Sequence, residues 1–312
     1  MNLPLKPKTL PQRSTELVVP AIAHSARLPF LVLTPVCVFL GVSIALQSQT
    51  DINIGHLSLI VIGALLAHIS VNLLNEYHDF KSGLDFNTRR TPFNGGSGFL
   101  PKHPEQKSTI LIAGIASLTA VIAIGLFFVW THGLAIIPIG VTGILLIIYY
   151  TGWINRRPLL CLIAPGLGFG VLMVLGTQFL LQKQYSILAG LAAIVPFCLV
   201  NNLLLLNQYP DLNADTEAGR YHLPIARGIP FSNAVYALFI MLTIMTVILC
   251  VAYGYFPLLS LISLLPIPLG LYALVGAIRY GASIGEHPEY LAVNTATAIL
   301  TPLLLALSLL MG

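Results

Sequence analysis

Two short segments, far apart in the chain, carry carboxylate and amide side chains at helical spacing. The six residues are Asn75, Asp79, Asp85, Asn207, Asp211 and Asp215. In each segment an asparagine lies four residues before an aspartate, and residues at that spacing share one face of a helix. Ser82-Gly83 can end the first helix and turn Asp85 back toward the same place. The two segments therefore predict one oxygen-rich, strongly negative site.

Such a set of oxygen atoms suits a hard divalent cation. Mg²⁺ is held by a few carboxylates and keeps its remaining positions for water and substrate phosphates. We predict Mg²⁺ bound, by way of a diphosphate, at Asp79, Asp85, Asp211 and Asp215. The basic residues predicted to bind the phosphates are Lys81, Arg90 and Arg220. Carboxylates and cations gathered in one place indicate a metal-bridged diphosphate rather than a bare anion site.

A polar stripe continues inward from the first segment. Asn72 and His68 lie one and two turns before Asn75, and polar groups within an apolar span should face a cavity lined by protein. His68 is a candidate substrate contact, although packing between helices would equally explain it. Tyr149 and Tyr150 offer aromatic faces that could stabilise a cation, or they could be anchors at the membrane interface.

Composition defines the elements that must position these residues. The chain has 15 Lys and Arg residues and 11 Asp and Glu residues, so only 26 of its 312 residues are charged, and 56% of the chain is hydrophobic. This excludes a soluble globular enzyme, a nucleic-acid binder and a disordered chain. We predict an all-α polytopic membrane protein, with about nine transmembrane helices bundled around a central cavity. The predicted spans are 28–47, 57–74, 108–130, 133–150, 159–181, 185–206, 231–252, 255–278 and 291–311.

The distribution of charge predicts the orientation. The tail at 1–27 and the connections after the even-numbered spans hold 14 of the 15 Lys and Arg residues, Lys183 being the exception. The positive-inside rule places the N-terminus and these connections in the cytoplasm. We therefore predict a cytoplasmic tail at 1–27 and one transmembrane domain at 28–312. Its cytoplasmic loops at 75–107 and 207–230 contain the candidate site.

The paired motifs resemble those of a known family. Asn75-Glu-Tyr-His-Asp79 and Asn207-Gln-Tyr-Pro-Asp211, each followed by a further aspartate, are similar to the two aspartate-rich motifs of the UbiA superfamily of intramembrane prenyltransferases. The spacing between Asp79 and Asp85 resembles the 1,4-dihydroxy-2-naphthoate branch. Glu76 departs from the pattern, because aspartate is common at that place.

The resemblance implies a Mg²⁺-dependent transferase. A polyprenyl group would pass from its diphosphate to an aromatic acid, with dihydroxynaphthoate in menaquinone synthesis as the first expectation. Other acceptors, namely 4-hydroxybenzoate, homogentisate or a porphyrinoid, remain open. The lipid bilayer is a further expected partner, and the expected location is a bacterial inner membrane with the site facing the cytoplasm. A transporter with an acidic cation pathway is the alternative of another class, although transporter sites lie near the bilayer midplane.

Overall fold

The structure is a computed structural model that describes residues 17–47 and 51–312, and these residues contain helices and no strand. The α-helices are α1 (Val18–Ser25), α2 (Leu33–Gln47), α3 (Ile54–Ser82), α4 (Leu84–Asn87), α5 (Phe99–Lys102), α6 (Lys107–His132), α7 (Ile137–Tyr149), α8 (Pro158–Gly166), α9 (Val174–Gln182), α10 (Ile187–Asn207), α11 (Leu212–Glu217), α12 (Leu223–Ala252), α13 (Ile267–Tyr280) and α14 (Pro288–Met311). A π-helical segment, Leu167–Met173, joins α8 to α9. Most of the predicted tail, residues 1–16, lies outside the described residues.

The predicted all-α membrane fold is confirmed. Within the described residues, eight helical stretches are long and apolar enough to cross a membrane, and a shorter apolar helix, Leu134–Tyr149, corresponds to the fourth predicted span. The eight are Leu28–Gln47, Ile54–Ser82, Pro104–His132, Pro158–Gln182, Ile187–Asn207, Leu223–Ala252, Leu258–Glu286 and Pro288–Met311. Together they account for the nine predicted spans, with boundaries that differ by several residues.

One boundary difference bears on the site, because α3 continues to Ser82 and therefore includes Asn75 and Asp79. It ends where Gly83 adopts a left-handed backbone with φ 84°, a conformation that glycine adopts without steric cost. The second segment is not one continuous helix. α10 ends at Asn207, and α11 begins only at Leu212.

The bundle is organised around α10, whose side chains are largely buried. α10 packs against α8, α12 and α14, while α2 packs against α14 and α9, and α3 runs along α6. Gly166 and Gly170 bring the α8 region close to α10, because a Cβ atom at either place would collide with the backbone of Phe197. This packing leaves an open space between α3, α6, α7 and the α8–α9 region.

Candidate active site

A cavity of about 430 Å³ occupies this space, as the sequence predicted, and we call it the chamber. Its inner walls are mostly apolar, with side chains such as Ala67, Ile144 and Leu172. Its polar end, called the mouth below, contains all four predicted metal ligands and Arg220. The mouth residues are Asp79, Asp85, Asp211, Asp215 and Arg220. Residues that are more than one hundred positions apart in the sequence thus border a single opening.

The first segment reaches the mouth from the end of α3. Asn75 donates from Nδ2 to Asp79 Oδ2 at 3.1 Å, and its Oδ1 accepts a hydrogen bond from the Thr151 hydroxyl at 2.9 Å. These bonds fix the amide, so that it cannot rotate freely. The turn at Gly83 then places Asp85 in the short helix α4, where its side chain is buried against the chamber.

The second segment reaches the mouth through the bend after α10. Asp211 precedes the first residue of α11, and its Oδ1 accepts a hydrogen bond from Asn94 Nδ2 at 2.7 Å. Asp215 lies one turn further along α11 and is 2% exposed. Asn207, the last residue of α10, also borders the chamber. The Asn94 contact connects the first loop directly to the second segment.

Arg220 joins the two segments. Its guanidinium forms ion pairs with Asp79 and with Asp215 Oδ1, the latter at 2.9 Å. His222 Nε2 lies 2.9 Å from Asp215 Oδ2, so both oxygens of this carboxylate have partners. The two carboxylates raise the pKa of Arg220 and thereby favour its charged form. Arg220 therefore holds one aspartate from each segment.

Asp85 and Asp211 have no such cation partner among the described residues. Burial, followed by the charge of Glu76, raises the pKa of Asp85 to about 7. Burial, followed by the charge of Asp215, raises the pKa of Asp211 to about 7. A carboxylate whose negative charge is poorly compensated is ready to receive a cation.

The oxygen atoms fit a divalent cation only in part. In the described residues, no group of three or more His, Cys, Asp or Glu side chains converges as a complete metal site. Asp85 Oδ2 and Asn207 Oδ1, however, are buried without a hydrogen-bond partner, and hard cations prefer such oxygens. The donors therefore fit a Mg²⁺ ion that completes its coordination with substrate phosphate and water, rather than one held in a cage made of protein alone.

The remaining predicted residues divide into two groups. His68, Asn72 and Tyr150 line the chamber. The His68 ring is hydrogen bonded to the Thr34 hydroxyl at 2.8 Å, and Asn72 Nδ2 donates to the carbonyl of Ala26 at 2.9 Å. These bonds hold two polar side chains at the chamber wall without occupying its interior.

The structure does not bring the other three to the chamber wall. Lys81 is exposed and lies away from it, and Tyr149 is 50% exposed on the outer surface. Arg90 is bonded through its guanidinium to the backbone carbonyl of Asp85. In this conformation Arg90 supports the loop behind the mouth rather than facing the chamber.

Several residues at or near the mouth were not predicted from the sequence. Arg27 borders the chamber in a left-handed backbone conformation with φ 54°, and it forms no ion pair among the described residues. Its guanidinium lies 5.5 Å from the centre of the Phe30 ring. Asn94 and His222 were also missed. His222 follows Arg220 by two positions, and this proximity is a signal that the sequence contained.

Glu76 has a different role from the one its motif position suggests. Its carboxylate is buried and accepts hydrogen bonds from the Ser97 amide, at 3.0 Å, and from the Ser97 hydroxyl. Ser97 belongs to residues 95–98, which we call the glycine loop. A Cβ atom on Gly96 would lie 2.7 Å from Asp85 Oδ1, so only glycine allows this loop to approach Asp85 so closely. Glu76 thus holds the loop beside the mouth.

An all-helical bundle with membrane-spanning segments and an acidic mouth beside an apolar chamber defines an integral membrane protein. The sequence profile of the UbiA prenyltransferase family matches residues 34–289. The chain belongs to this family, as its two aspartate-rich motifs had indicated.

A curated relative is similar over part of the chain. The 1,4-dihydroxy-2-naphthoate octaprenyltransferase of Bacillus subtilis (strain 168) is 30% identical over 170 residues, which cover 53% of this chain and 52% of the relative. The match thus spans about half the length of that protein.

Solved structures share the fold along almost the whole chain. A UbiA homologue from Archaeoglobus fulgidus, bound to DMAPP and Mg²⁺, has a TM-score of 0.63 at 13% identity, covering 92% of this chain and 98% of that one. The apo UbiA homologue from Aeropyrum pernix K1 has a TM-score of 0.65 at 14% identity, covering 87% and 94%. A structure described as digeranylgeranylglyceryl phosphate synthase has a TM-score of 0.66 at 14% identity, covering 95% and 99%. At these identities the likeness establishes the fold.

Proposed function

We propose that the protein transfers a polyprenyl group from its diphosphate to an aromatic acid in a Mg²⁺-dependent reaction, with 1,4-dihydroxy-2-naphthoate as the acceptor. The observation that carries this proposal is the meeting of two aspartate segments, joined by Arg220, at the mouth of an apolar chamber. The Bacillus subtilis relative supports the naphthoate acceptor over 4-hydroxybenzoate, homogentisate or a porphyrinoid.

In this proposal the diphosphate binds at the mouth. Asp85, Asp211 and Asn207 would hold Mg²⁺ together with the diphosphate oxygens, and Asp79 and Asp215 complete the acidic surroundings. When bound, the metal supplies positive charge that stabilises the departing diphosphate. Arg220 adds a fixed cation at the same place, already oriented by its two ion pairs. An arginine oriented in advance costs little reorganisation when negative charge develops.

The chamber receives the isoprenoid and protects the reacting carbon. Breaking the allylic carbon–oxygen bond leaves positive charge on the prenyl group, and apolar walls keep water from capturing it. The side chains of Tyr150 and Phe169 line this space, and aromatic rings stabilise a nearby positive charge. A carbon–carbon bond then forms between the prenyl carbon and a ring carbon, and aromaticity is restored when that ring carbon loses its proton, or its carboxylate as CO₂, while diphosphate is the leaving group of the prenyl donor.

Arg27 is the candidate partner for the acid group of the acceptor. It lies at the edge of the chamber without an ion pair to any described residue, close enough to Asp79 and Asp211 to influence both electrostatically. An arginine binds a carboxylate through two parallel hydrogen bonds. Asn72, anchored to the carbonyl of Ala26, lies on the same wall and would help to orient the ring.

The mouth faces the cytoplasm of a bacterial inner membrane in this proposal. The positive-inside distribution of 14 of the 15 Lys and Arg residues supports that orientation. The transporter alternative requires a path that opens to both sides of the membrane. The candidate metal ligands lie at the mouth, near helix ends, whereas transporter sites lie near the bilayer midplane, which favours the enzyme.

An assay of the purified protein in detergent tests the proposal. With a prenyl diphosphate and candidate aromatic acids, diphosphate should be released together with prenylated product, and only when Mg²⁺ is present. Asp79→Ala and Asp211→Ala should each lower turnover by at least about 10²-fold, the usual cost of losing preorganised electrostatic stabilisation. Glu217→Ala, which removes an exposed acid from the same side, is the control. Full turnover by both aspartate variants would refute the site.

A further inference from the structure

One wall of the chamber is formed where the chain at 26–34 runs alongside α3. Two hydrogen bonds fix its register. Asn72 Nδ2 donates to the carbonyl of Ala26 at 2.9 Å, and the Thr34 hydroxyl is hydrogen bonded to His68 Nδ1 at 2.8 Å. As the chain advances from 26 to 34, its partner on α3 moves back from 72 to 68. The two segments are therefore antiparallel, and this wall extends inward from the level of Asn72.

Polar side chains occur at two levels of this wall. Arg27, next to Ala26, and Asn72 line the chamber at the level nearer the mouth. His68 lines it four residues farther along α3, and four helical residues rise about 6 Å. The wall therefore presents a guanidinium near the mouth and an imidazole one helical turn deeper.

The apolar part of the same wall contains two aromatic rings. Phe30 lines the chamber, and the Arg27 guanidinium lies 5.5 Å from the centre of its ring. Phe169 also lines the chamber, and its ring meets that of His68 edge-on, with centroids 4.7 Å apart. Aromatic side chains pack favourably against other aromatic rings. This wall therefore suits a flat aromatic molecule that has an acid group at one end and a second polar group at the other.

One nitrogen of His68 is open to the chamber. Nδ1 is bonded to Thr34, whereas Nε2 has no hydrogen-bond partner among the described residues. Thr34 is fully buried, and within the described part of the chain its hydroxyl is bonded only to Nδ1. The hydroxyl therefore donates to Nδ1, and the neutral imidazole carries its proton on Nε2. His68 thus presents an N–H donor to the chamber.

We propose that His68 Nε2 donates a hydrogen bond to a ring hydroxyl of the aromatic acceptor, and that this contact selects acceptors hydroxylated on the side away from the acid group. This inference rests on the proposed function, because it assumes that Arg27 binds the carboxylate of an aromatic acid. In 1,4-dihydroxy-2-naphthoate the 1-hydroxyl is adjacent to the carboxylate and bonds to it internally, so the 4-hydroxyl is the one that reaches His68. An acceptor without that hydroxyl leaves the His68 N–H unpaired in an apolar site, which weakens binding.

The contribution of the 4-hydroxyl is measured by comparing Kd for 1,4-dihydroxy-2-naphthoate with Kd for 1-hydroxy-2-naphthoate, which lacks that group. Fluorescence titration of the protein in detergent, under reducing conditions, gives both values, with Mg²⁺ and inorganic diphosphate present so that no reaction occurs. We expect the wild type to bind the dihydroxy compound at least about tenfold more tightly. His68→Phe should bind the two with similar affinity. His68→Gln should keep part of the preference, because its amide N–H can donate from nearly the same place.

Two further variants separate recognition from packing. Thr34→Val preserves the size of the side chain but removes the hydroxyl that fixes the tautomer of His68, so the preference should fall although His68 is present. His56→Phe is the matched control, because His56 is a half-buried histidine of the same helix that does not line the chamber. It should keep the wild-type preference. A substitution that only disturbed packing would weaken the binding of both naphthoates and leave the ratio of their Kd values unchanged.

Two results would overturn the proposal. One is a wild type that binds neither naphthoate or binds both equally. The other is an undiminished preference for the dihydroxy compound in His68→Phe or, if that variant does not fold, in Thr34→Val. Failure of the proposed function looks different, because the wild type would then release no diphosphate from a prenyl diphosphate with any aromatic acid, whatever its affinity for the naphthoates.

Discussion

The two aspartate segments contribute to the mouth in parallel ways, but they are supported differently. Each supplies one carboxylate that Arg220 neutralises, namely Asp79 and Asp215. Each also supplies one that forms no ion pair within the described part of the chain, namely Asp85 and Asp211. The paired carboxylates join the segments, whereas the other two keep their capacity to bind a cation. The mouth thus separates the groups that hold it together from those available to a metal.

The residues that hold the carboxylates in place differ between the two segments. Asp215 is held by two side chains that follow it closely in sequence, Arg220 and His222. Asp85 instead lies against the glycine loop at Gly96, and Glu76 holds that loop through Ser97. The contacts of Asp215 therefore come from within its own part of the chain, whereas Asp211 and Asp85 both lie against the loop between α4 and α5, through Asn94 and Gly96 respectively. We expect substitutions of these residues to affect stability and turnover to different degrees.

The largest effect is expected from Arg220→Met, because it leaves Asp79 and Asp215 without their shared cation. Removing one partner from a buried ion pair costs about 3–5 kcal/mol of stability, and the loss of the cation should lower kcat/KM by about 10²–10³-fold. Thermal unfolding in detergent and the diphosphate-release assay measure the two effects.

Arg89→Met is the control for that substitution. Arg89 forms an exposed ion pair with Glu286 at 2.7 Å, and exposed pairs contribute about 0–1 kcal/mol. If Arg220→Met were no more destabilising than Arg89→Met, Arg220 would not be what joins the two segments.

The next largest effect is expected from replacing either unpaired carboxylate, which should raise stability rather than lower it. Asp85→Asn removes a buried negative charge and Asp211→Asn a partly buried one, neither of which is in an ion pair with a described residue. The metal-free protein should therefore become more stable, by on the order of 1 kcal/mol. Turnover should nevertheless fall by about 10²-fold, since an amide binds Mg²⁺ more weakly than a carboxylate. A loss of stability in either variant would contradict the distinction between paired and unpaired carboxylates.

The sequence predicted which residues form the mouth better than it predicted which residues hold them in place. Helical spacing was enough to place Asn75 and Asp79 on one face of α3, whereas Asp211 and Asp215 reach the mouth although the chain bends between α10 and α11. Lys81 lies two residues after Asp79 on the same helix, and residues at that spacing point to different sides, so the same rule could have excluded it. Arg27 and Asn94 reach the chamber through tertiary packing, which no local pattern encodes.

A smaller effect is expected from Glu76→Gln, which tests the dependence of the first segment on its loop. The glutamine can accept only part of the hydrogen bonding that Ser97 offers, so the loop should be held less firmly beside Asp85. We expect KM for the prenyl diphosphate to rise about tenfold, the cost of about 1.4 kcal/mol, with kcat nearly unchanged.

Ser97→Ala removes the hydroxyl from the other side of the same contact and should behave in the same way. The double variant should be no worse than either single one, because both remove one interaction. A fall in kcat with an unchanged KM would instead indicate that Glu76 acts at the reacting atoms.

The smallest effect concerns pH and applies to the metal-free protein. Asp85 and Asp211, each with a pKa raised to about 7, bind more protons in the folded protein than in the unfolded chain between pH 4 and 7. Their contribution to stability is therefore fully present below pH 4 and is lost as the pH rises through 7. Lowering the pH from 8 to 6 should raise the free energy of unfolding by on the order of 1 kcal/mol for each group.

Thermal unfolding with a chelator present measures this pH dependence of stability, and the double variant with Asn at positions 85 and 211 should lack that part of the response. If the wild type and the double variant respond equally to pH, these two carboxylates do not carry the uncompensated charge of the mouth.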